Sequence, residues 1–188
     1  GLSMAPPDRV FRTAVRPEDR EAVRRIVRSS GFFYQDEVEI AVELVDEALQ
    51  KGDASGYHFV FAEIDGIVAG YACFGPIPGT GASFDLYWIA LDDDFRGQGL
   101  GGAVLRVAEE RMHAMGGARI YAETSSRPQY EPTRRFYERR GFCLEARLEA
   151  FYYPGDDKLI YVKRLLPRAD ETARQPASLP GPSAAPVC

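Results

Sequence analysis

The sequence is poor in the residues that build metal sites and covalent staples. It holds three cysteines and two histidines. Cys73, Cys143 and Cys188 lie far apart, without the C-x-x-C spacing of a zinc site or the even number of a disulfide framework. No metal is expected, and His58 and His113 read as structural. Also lacking is any apolar run near the ~20 residues of a membrane-spanning helix. Basic charge is not in excess: 23 Lys and Arg against 28 Asp and Glu leave a net charge of -5. No global field therefore draws in nucleic acid or anionic lipid. No basic segment followed by an apolar one opens the chain, so no secretion signal is read and a reducing cytoplasmic setting is expected.

What is present is a globular composition, 45% hydrophobic and 27% charged over 188 residues, enough for one core near the ~150-residue domain prior. Gly1, Leu2 and Ser3 before Met4 read as a cloning scar, so residues 1–9 are set aside as scar and flexible N-terminus. Residues 10–167 read as a single domain. Residues 168–188, dominated by Pro, Ala and Ser without an aromatic, read as a disordered tail that cannot repay its ordering entropy.

Within the domain, Phe11–Val15 reads as a strand. A helix is expected from Pro17 and the acidic pair Glu18 and Asp19, with Ala22, Val23, Ile26 and Val27 on its apolar face. Val38, Ala41, Val42, Val45, Ala48 and Leu49 predict a second helix. Residues 57–64 and 67–74 form a hairpin around Asp65-Gly66, and 84–91 a third strand of the meander. A helix through Val104 to Met112 is followed by a strand at 120–124. A short helix from Pro132 precedes an antiparallel pair at 144–152 and 159–165. The order is β-α-α-β-β-β-α-β-α-β-β. It describes an α/β (α+β) architecture, a mixed sheet of about seven strands flanked by about four helices.

The chemically loudest segment is Arg96-Gly97-Gln98-Gly99-Leu100-Gly101-Gly102, between a strand and the first turn of a helix. The N–H groups of such a turn have no intrahelical acceptor, and the helix dipole and Arg96 add positive charge, so a pyrophosphate is the natural guest. Gly97, Gly99 and Gly102 also satisfy the G-x-G-x-x-G dinucleotide fingerprint, with Glu123 about 20 residues on. The preceding antiparallel meander and the five residues Asp92–Arg96 argue against that reading. A glycine-rich helix start with no ligand is the remaining alternative.

Arg96–Gly101 resembles the R/Q-x-x-G-x-G/A acetyl-CoA loop of the GNAT N-acetyltransferases, and Thr133–Phe142, TRRFYERRGF, resembles their downstream FY-x-x-x-GF segment. The similarity runs over about residues 10–166 and implies the GNAT fold. It further implies that the main chain of Ile89, Ala90 and Leu91 binds pantetheine as an added strand would. The amides of Gly97, Gln98, Gly99, Leu100, Gly101 and Gly102, with the Arg96 side chain, would take the pyrophosphate of acetyl-coenzyme A. Gln98 fills a position that varies in the family. Tyr137 matches the tyrosine that faces the thioester sulfur and is the expected general acid. Phe136 beside it borders the cofactor, its ring expected in the core.

Acyl transfer to an amine needs the neutral nucleophile, and at pH 7 an alkylammonium of pKa ~10.4 is about 4.6 kcal/mol from that state. Alternation along the strand places Asp85, Tyr87, Ile89 and Leu91 on one face. Some family members carry a glutamate base where this chain has Tyr87. That replacement moves the expected base to Glu123 or Asp85, directly or through an ordered water. The competing reading for either acid is an ion pair with Arg127, Arg134 or another guanidinium. Cys73 and Cys143 read as buried thiols.

In this fold the acceptor is shaped by the link between the first two helices and by the last hairpin. Here these carry Phe32, Phe33 and Tyr34, and Phe151, Tyr152 and Tyr153. With Tyr87 and Tyr71 they suggest a walled pocket for a small amine, an amino acid or an amine metabolite, attacked directly in a ternary complex. Arg127 or Arg134 would hold a carboxylate on such a substrate, against the plainer reading of exposed charge. No nucleic-acid or membrane partner is expected, and a homodimer follows family habit alone. The alternatives are a protein or peptide acetyltransferase acting on Lys or N-terminal amines, and an acyl-CoA-binding regulatory module without turnover.

Overall fold

The computed structural model describes residues 8–31 and 33–166. Residues 1–7, Phe32 and the expected tail at 168–188 lie outside the described residues. The elements follow the expected order: β1 Arg9–Arg12, α1 Asp19–Ser29, α2 Gln35–Lys51, β2 His58–Ile64, β3 Ile67–Pro76, β4 Ser83–Leu91, α3 Leu100–Ala114, β5 Arg119–Ser125, α4 Glu131–Arg139, β6 Cys143–Tyr153 and β7 Asp156–Arg164. This is the α/β layout of seven strands and four helices read from the sequence. The first strand starts and ends earlier than its apolar residues suggested, because Arg9–Arg12 takes its register from Phe61–Ile64 of β2. The chain divides into two compact units, Gly1–Gly117 and Ala118–Cys188.

In the first unit β1, β2, β3 and β4 pair antiparallel in sequence order. The β2–β3 turn is tight because Asp65 and Gly66 both adopt positive φ, 50° and 80°, matching the twist of the flanking strands. Period-2 alternation gives the sheet two apolar faces. Phe59, Phe61, Tyr71 and Cys73 join Val23, Ile26 and Val27 of α1 and Val38, Ala41, Val42, Val45 and Ala48 of α2 in one buried cluster. Val60, Ala62, Ala72 and Phe74 alternate with them and are equally buried, while α3 packs along β2, β3 and β4 with Leu100, Val104, Leu105, Ala108 and Met112 buried. Tyr71, expected in the acceptor wall, is fully buried in the helix-side cluster, and its hydroxyl has no partner among the described residues. Strand parity decided this: Tyr71 shares the face of Phe59 and Phe61 and stacks on both.

A buried ion pair fixes the start of the unit. Arg12 Nη1 and Nη2 donate to Asp19 Oδ2 and Oδ1 at 2.8 Å each, and Arg12 Nε donates to Glu63 at 3.2 Å. Asp19 also accepts the Arg16 backbone N–H at 2.7 Å. The carboxylate thus ties β1 to the first turn of α1, where negative charge also suits the helix dipole.

In the second unit β7 runs between β5 and β6, antiparallel to both. The α4 helix packs through Tyr137, whose ring lies 5.1 Å from Phe142 and 6.0 Å from Tyr161. The β6–β7 register jumps from Leu148↔Lys158 to Tyr153↔Asp156, so residues 149–152 bulge opposite Asp157 alone. Ala150, inside the bulge, has a φ of 52°, a conformation that costs an L-residue about 1–2 kcal/mol. Cys143 is only half-buried at the start of β6 and is not a free thiol, so the buried-thiol expectation holds for Cys73 alone.

Removing one member of the buried pair leaves an uncompensated charge. Asp19→Ala is expected to cost about 3–5 kcal/mol, read as a lowered midpoint in urea denaturation; an unchanged midpoint would show that the pair contributes nothing net.

Candidate active site

The chain leaves β4 through Asp92, which is buried and caps the short 3-10 turn Asp93–Phe95 by accepting the Asp94 N–H at 3.0 Å. Helix α1 braces this turn: Ser29 Oγ accepts the Asp93 N–H at 3.1 Å, and Arg25 lies 3.4 Å from the Asp92 carboxylate. The glycine segment follows. Gly97 and Gly99 take φ values of 77° and 72°, and a Cβ at either would meet open space. Glycine is needed there for backbone conformation alone. The first bond of the helix runs from the Ala103 N–H to the Gly99 carbonyl at 3.2 Å, so α3 does not use the amides of Leu100, Gly101 and Gly102. Residues 96–99 are exposed, the Gln98 carbonyl accepts from Arg9 at 3.2 Å, and Arg96 holds Asp93 at 3.1 Å. Expected loop and observed loop coincide.

Alternation fails within β4. Cys73 pairs with Trp88 but Phe74 pairs with Leu86, so Tyr87 is an extra residue, a β-bulge that reverses parity. Ile89 therefore shares a face with Leu86 and Phe84, while Asp85 lies on the face of Trp88 and Ala90. The expectation that Asp85 shares a face with Ile89 and Leu91 is corrected by this one residue. Tyr87 itself is 38% exposed and meets Tyr57 edge-on at 5.3 Å. Burial, followed by the charge of Asp85, pushes its phenol up to about 12. In the α1–α2 link, Phe33 packs edge-on against Trp88 at 5.0 Å, whereas Tyr34 is 70% exposed. The first joins the wall of the helix-side core; the second stands in solvent.

In the second unit, α4 starts with Pro132 in its first turn and carries Phe136 and Tyr137 on adjacent positions. Phe136 is half-buried, with the Arg140 guanidinium 3.8 Å from its ring centre. Tyr137 is buried, and that burial holds its phenol well above the ordinary value. The proton therefore stays on the oxygen at neutral pH, while no described residue accepts it. A protonated phenol on a largely buried ring is suited to donate to a ligand.

Glu123 is half-exposed on β5, and its Oε2 lies 2.8 Å from Lys158 Nζ. The expected rival partners, Arg127 and Arg134, do not take it. Arg134 Nη1 donates instead to the carbonyls of Ser125 and Arg127, at 2.8 and 2.9 Å, and the Arg127 side chain is exposed. Lys158 also sits 4.5 Å from the Phe151 ring centre. It was missed because its contacts to β5 and the bulge come from cross-strand register. Of the hairpin aromatics, Phe151 and Tyr152 form an edge-on pair at 5.1 Å, and all three of Phe151, Tyr152 and Tyr153 are at least 40% exposed.

Asp157 was likewise not singled out by sequence. Its Oδ1 accepts the Ala150 N–H and its Oδ2 accepts Arg147 Nη1, both at 2.8 Å. The Ala150 amide, then Arg147, hold its carboxyl below the ordinary range. Its backbone N–H donates to Ser126 Oγ at 2.8 Å, and Ser125 Oγ, donating to Asp156, ties β5 to β7 a second time. The one sequence signal was an adjacent acid pair just after the Pro154-Gly155 turn.

A family model described as the Acetyltransferase (GNAT) family matches residues 20–142. A GNAT-family protein of known structure from Desulfovibrio desulfuricans is 51% identical, with a TM-score of 0.82, over 84% of this chain and 99% of that one. The PaiA N-acetyltransferase from Thermoplasma acidophilum, solved in complex with coenzyme A, is 19% identical with a TM-score of 0.66, over 84% and 99% of the two chains. The ribosomal-protein-S18-alanine N-acetyltransferase from Escherichia coli is 18% identical with a TM-score of 0.66, over 87% and 97%. No curated protein is similar enough to count as a match. Glycine turn, element order and family model agree, and the chain belongs to the GNAT family of acetyl-CoA-dependent acetyltransferases.

Proposed function

We propose that this acetyltransferase acetylates the primary amine of a small molecule, an amino acid or amine metabolite, by direct attack. The observation that carries the cofactor half of this reading is the unused amides at the start of α3, opened by two left-handed glycines. They form a converging donor set at the positive end of a helix dipole, fit for a pyrophosphate, with Arg96 close enough in sequence to add charge. Acetyl-coenzyme A, when bound, supplies the activated acyl group.

The chain's own groups divide the proton work. Tyr137 keeps its phenolic proton and gives it to the departing sulfur as the carbon–sulfur bond breaks. The amine must lose a proton as its nitrogen bonds the acyl carbon. We assign that proton to Glu123, through water, with Asp85 as the second candidate. Lys158 competes for the Glu123 carboxylate and must yield for the transfer to occur. For the acceptor half we take the aromatic residues Phe33, Tyr34 and Tyr87 of the first unit and, separately, Tyr152 of the second as candidates, since aromatic side chains suit a small, partly apolar ligand. The E. coli relative named above acts on a protein alanine, so a peptide amine is the rival acceptor.

Thiol release measured across an amine panel and a peptide panel decides between them; turnover confined to peptides would overturn the small-amine reading. Gly99→Ala is expected to reorient the turn and raise the coenzyme A Kd about ten-fold or more in calorimetry. Tyr137→Phe should lower kcat about 100-fold with the Kd unchanged; wild-type kcat would remove it from the mechanism. Glu123→Gln should lower kcat and flatten the acid limb of the pH–rate profile, and an identical profile would shift the base to Asp85 or to water.

A further inference from the structure

The β6 bulge borders an open cleft of about 560 Å³ within the second unit, lined by Ser126, Arg134, Arg147, Glu149, Ala150 and Asp157, with Gly155 and Leu159 beside them. That volume suits a metabolite. Its charges are not all paired internally. Arg147 is neutralised by Asp157 at 2.8 Å. Arg134 contacts only backbone carbonyls through Nη1, so it is oriented but has no carboxylate partner among the described residues. Glu149 has no cationic partner among them either. Ser126 Oγ accepts the Asp157 N–H at 2.8 Å, which leaves its own hydroxyl proton to donate. What remains is one oriented guanidinium, one hydroxyl donor and one carboxylate.

We propose that this cleft recognises a zwitterionic acceptor, a free amino acid, binding its carboxylate through Arg134 and Ser126 and its ammonium through Glu149 on arrival, before the nitrogen gives its proton through water to Glu123 and attacks. The proposal rests on the small-amine reading above and narrows it. A guanidinium presents paired donors that match a carboxylate, and an anionic wall disfavours ligands carrying negative charge alone. Asp157 is the positioning residue. It clips Ala150 in its left-handed conformation and so keeps the bulge, and with it the cleft, open.

The test uses the full chain with acetyl-coenzyme A and a panel of free amino acids, each beside its carboxamide. The expected result is a preference for the acid of at least about ten-fold in kcat/KM, carried by KM. Arg134→Gln should erase that preference and leave the KM for acetyl-coenzyme A unchanged. Because Arg134 also holds two carbonyls, Glu149→Gln gives an independent reading: it removes no internal bond and should raise the amino-acid KM several-fold. Asp157→Asn should weaken amino-acid KM, and adding Ala150→Gly, which tolerates the left-handed backbone, should restore part of the loss; a merely structural Asp157 would show no such rescue in KM. Equal turnover of acids and amides by the wild type overturns the cleft proposal and leaves amine acetylation standing. Arg134-dependent binding of amino acids in calorimetry without any turnover supports the cleft and overturns the small-amine reading. Neither turnover nor binding overturns both.

Discussion

The constraint on which the proposed cofactor site depends is a set of backbone amides that α3 itself does not use at its start. A helix cannot satisfy its own first N–H groups, and here no side chain caps them. Gly97 and Gly99 turn the chain through left-handed conformations, which a side chain would oppose, and bring it directly into the first turn of the helix. Around this opening the structure is closely braced. Asp92 is buried and capping, Ser29 and Arg25 of α1 hold the preceding turn, and Arg9 holds the Gln98 carbonyl. Anion-binding turns cost little to preorganise when their supports are rigid elements, and both supports here are packed against the core.

Of the departures from strict strand pairing, one in each unit falls among the candidate site residues. In β4 the extra residue is Tyr87, which moves Asp85 to the face of Trp88 and leaves Ile89 and Leu91 on the other. In β6 the departure is larger, and Asp157 satisfies the amide that the bulge strands. Bulges re-aim side chains without ending the sheet, which is why they recur beside functional sites. Tyr87 brings a phenol held in its neutral form; the β6 bulge brings an aromatic pair and a charged cleft.

The electrostatics of the second unit show how register sets chemistry. Glu123, Lys158 and the Phe151 ring form a connected series, with the ammonium shared between a carboxylate and a π face. Arg134 is oriented by carbonyls through Nη1 alone, and Arg147 is paired with Asp157. A guanidinium that has no carboxylate partner among the described residues is then a choice made by neighbours and not by residue type, and the same holds for Glu149, which has no cationic partner among them.

Much of this protein was legible in its amino-acid order. Apolar spacing of 3–4 residues marked both early helices, Asp65-Gly66 marked the hairpin, and Gly97-Gln98-Gly99 with FY-x-x-x-GF marked the glycine turn and the family resemblance, because each is a local property of a few adjacent residues. Tyr71 was not legible, since only the parity of β3 against two helices decides that it is core. Nor was the side on which Asp85 lies, the partner of Glu123, or the role of Asp157. These depend on which residues two strands bring opposite each other and on where one strand carries an extra residue. The sequence by itself determined the elements, the glycine turn and the family; the tertiary structure alone decided which of the described charges are paired and which are not, because pairing is a matter of distance between chain segments that spacing along the chain does not encode.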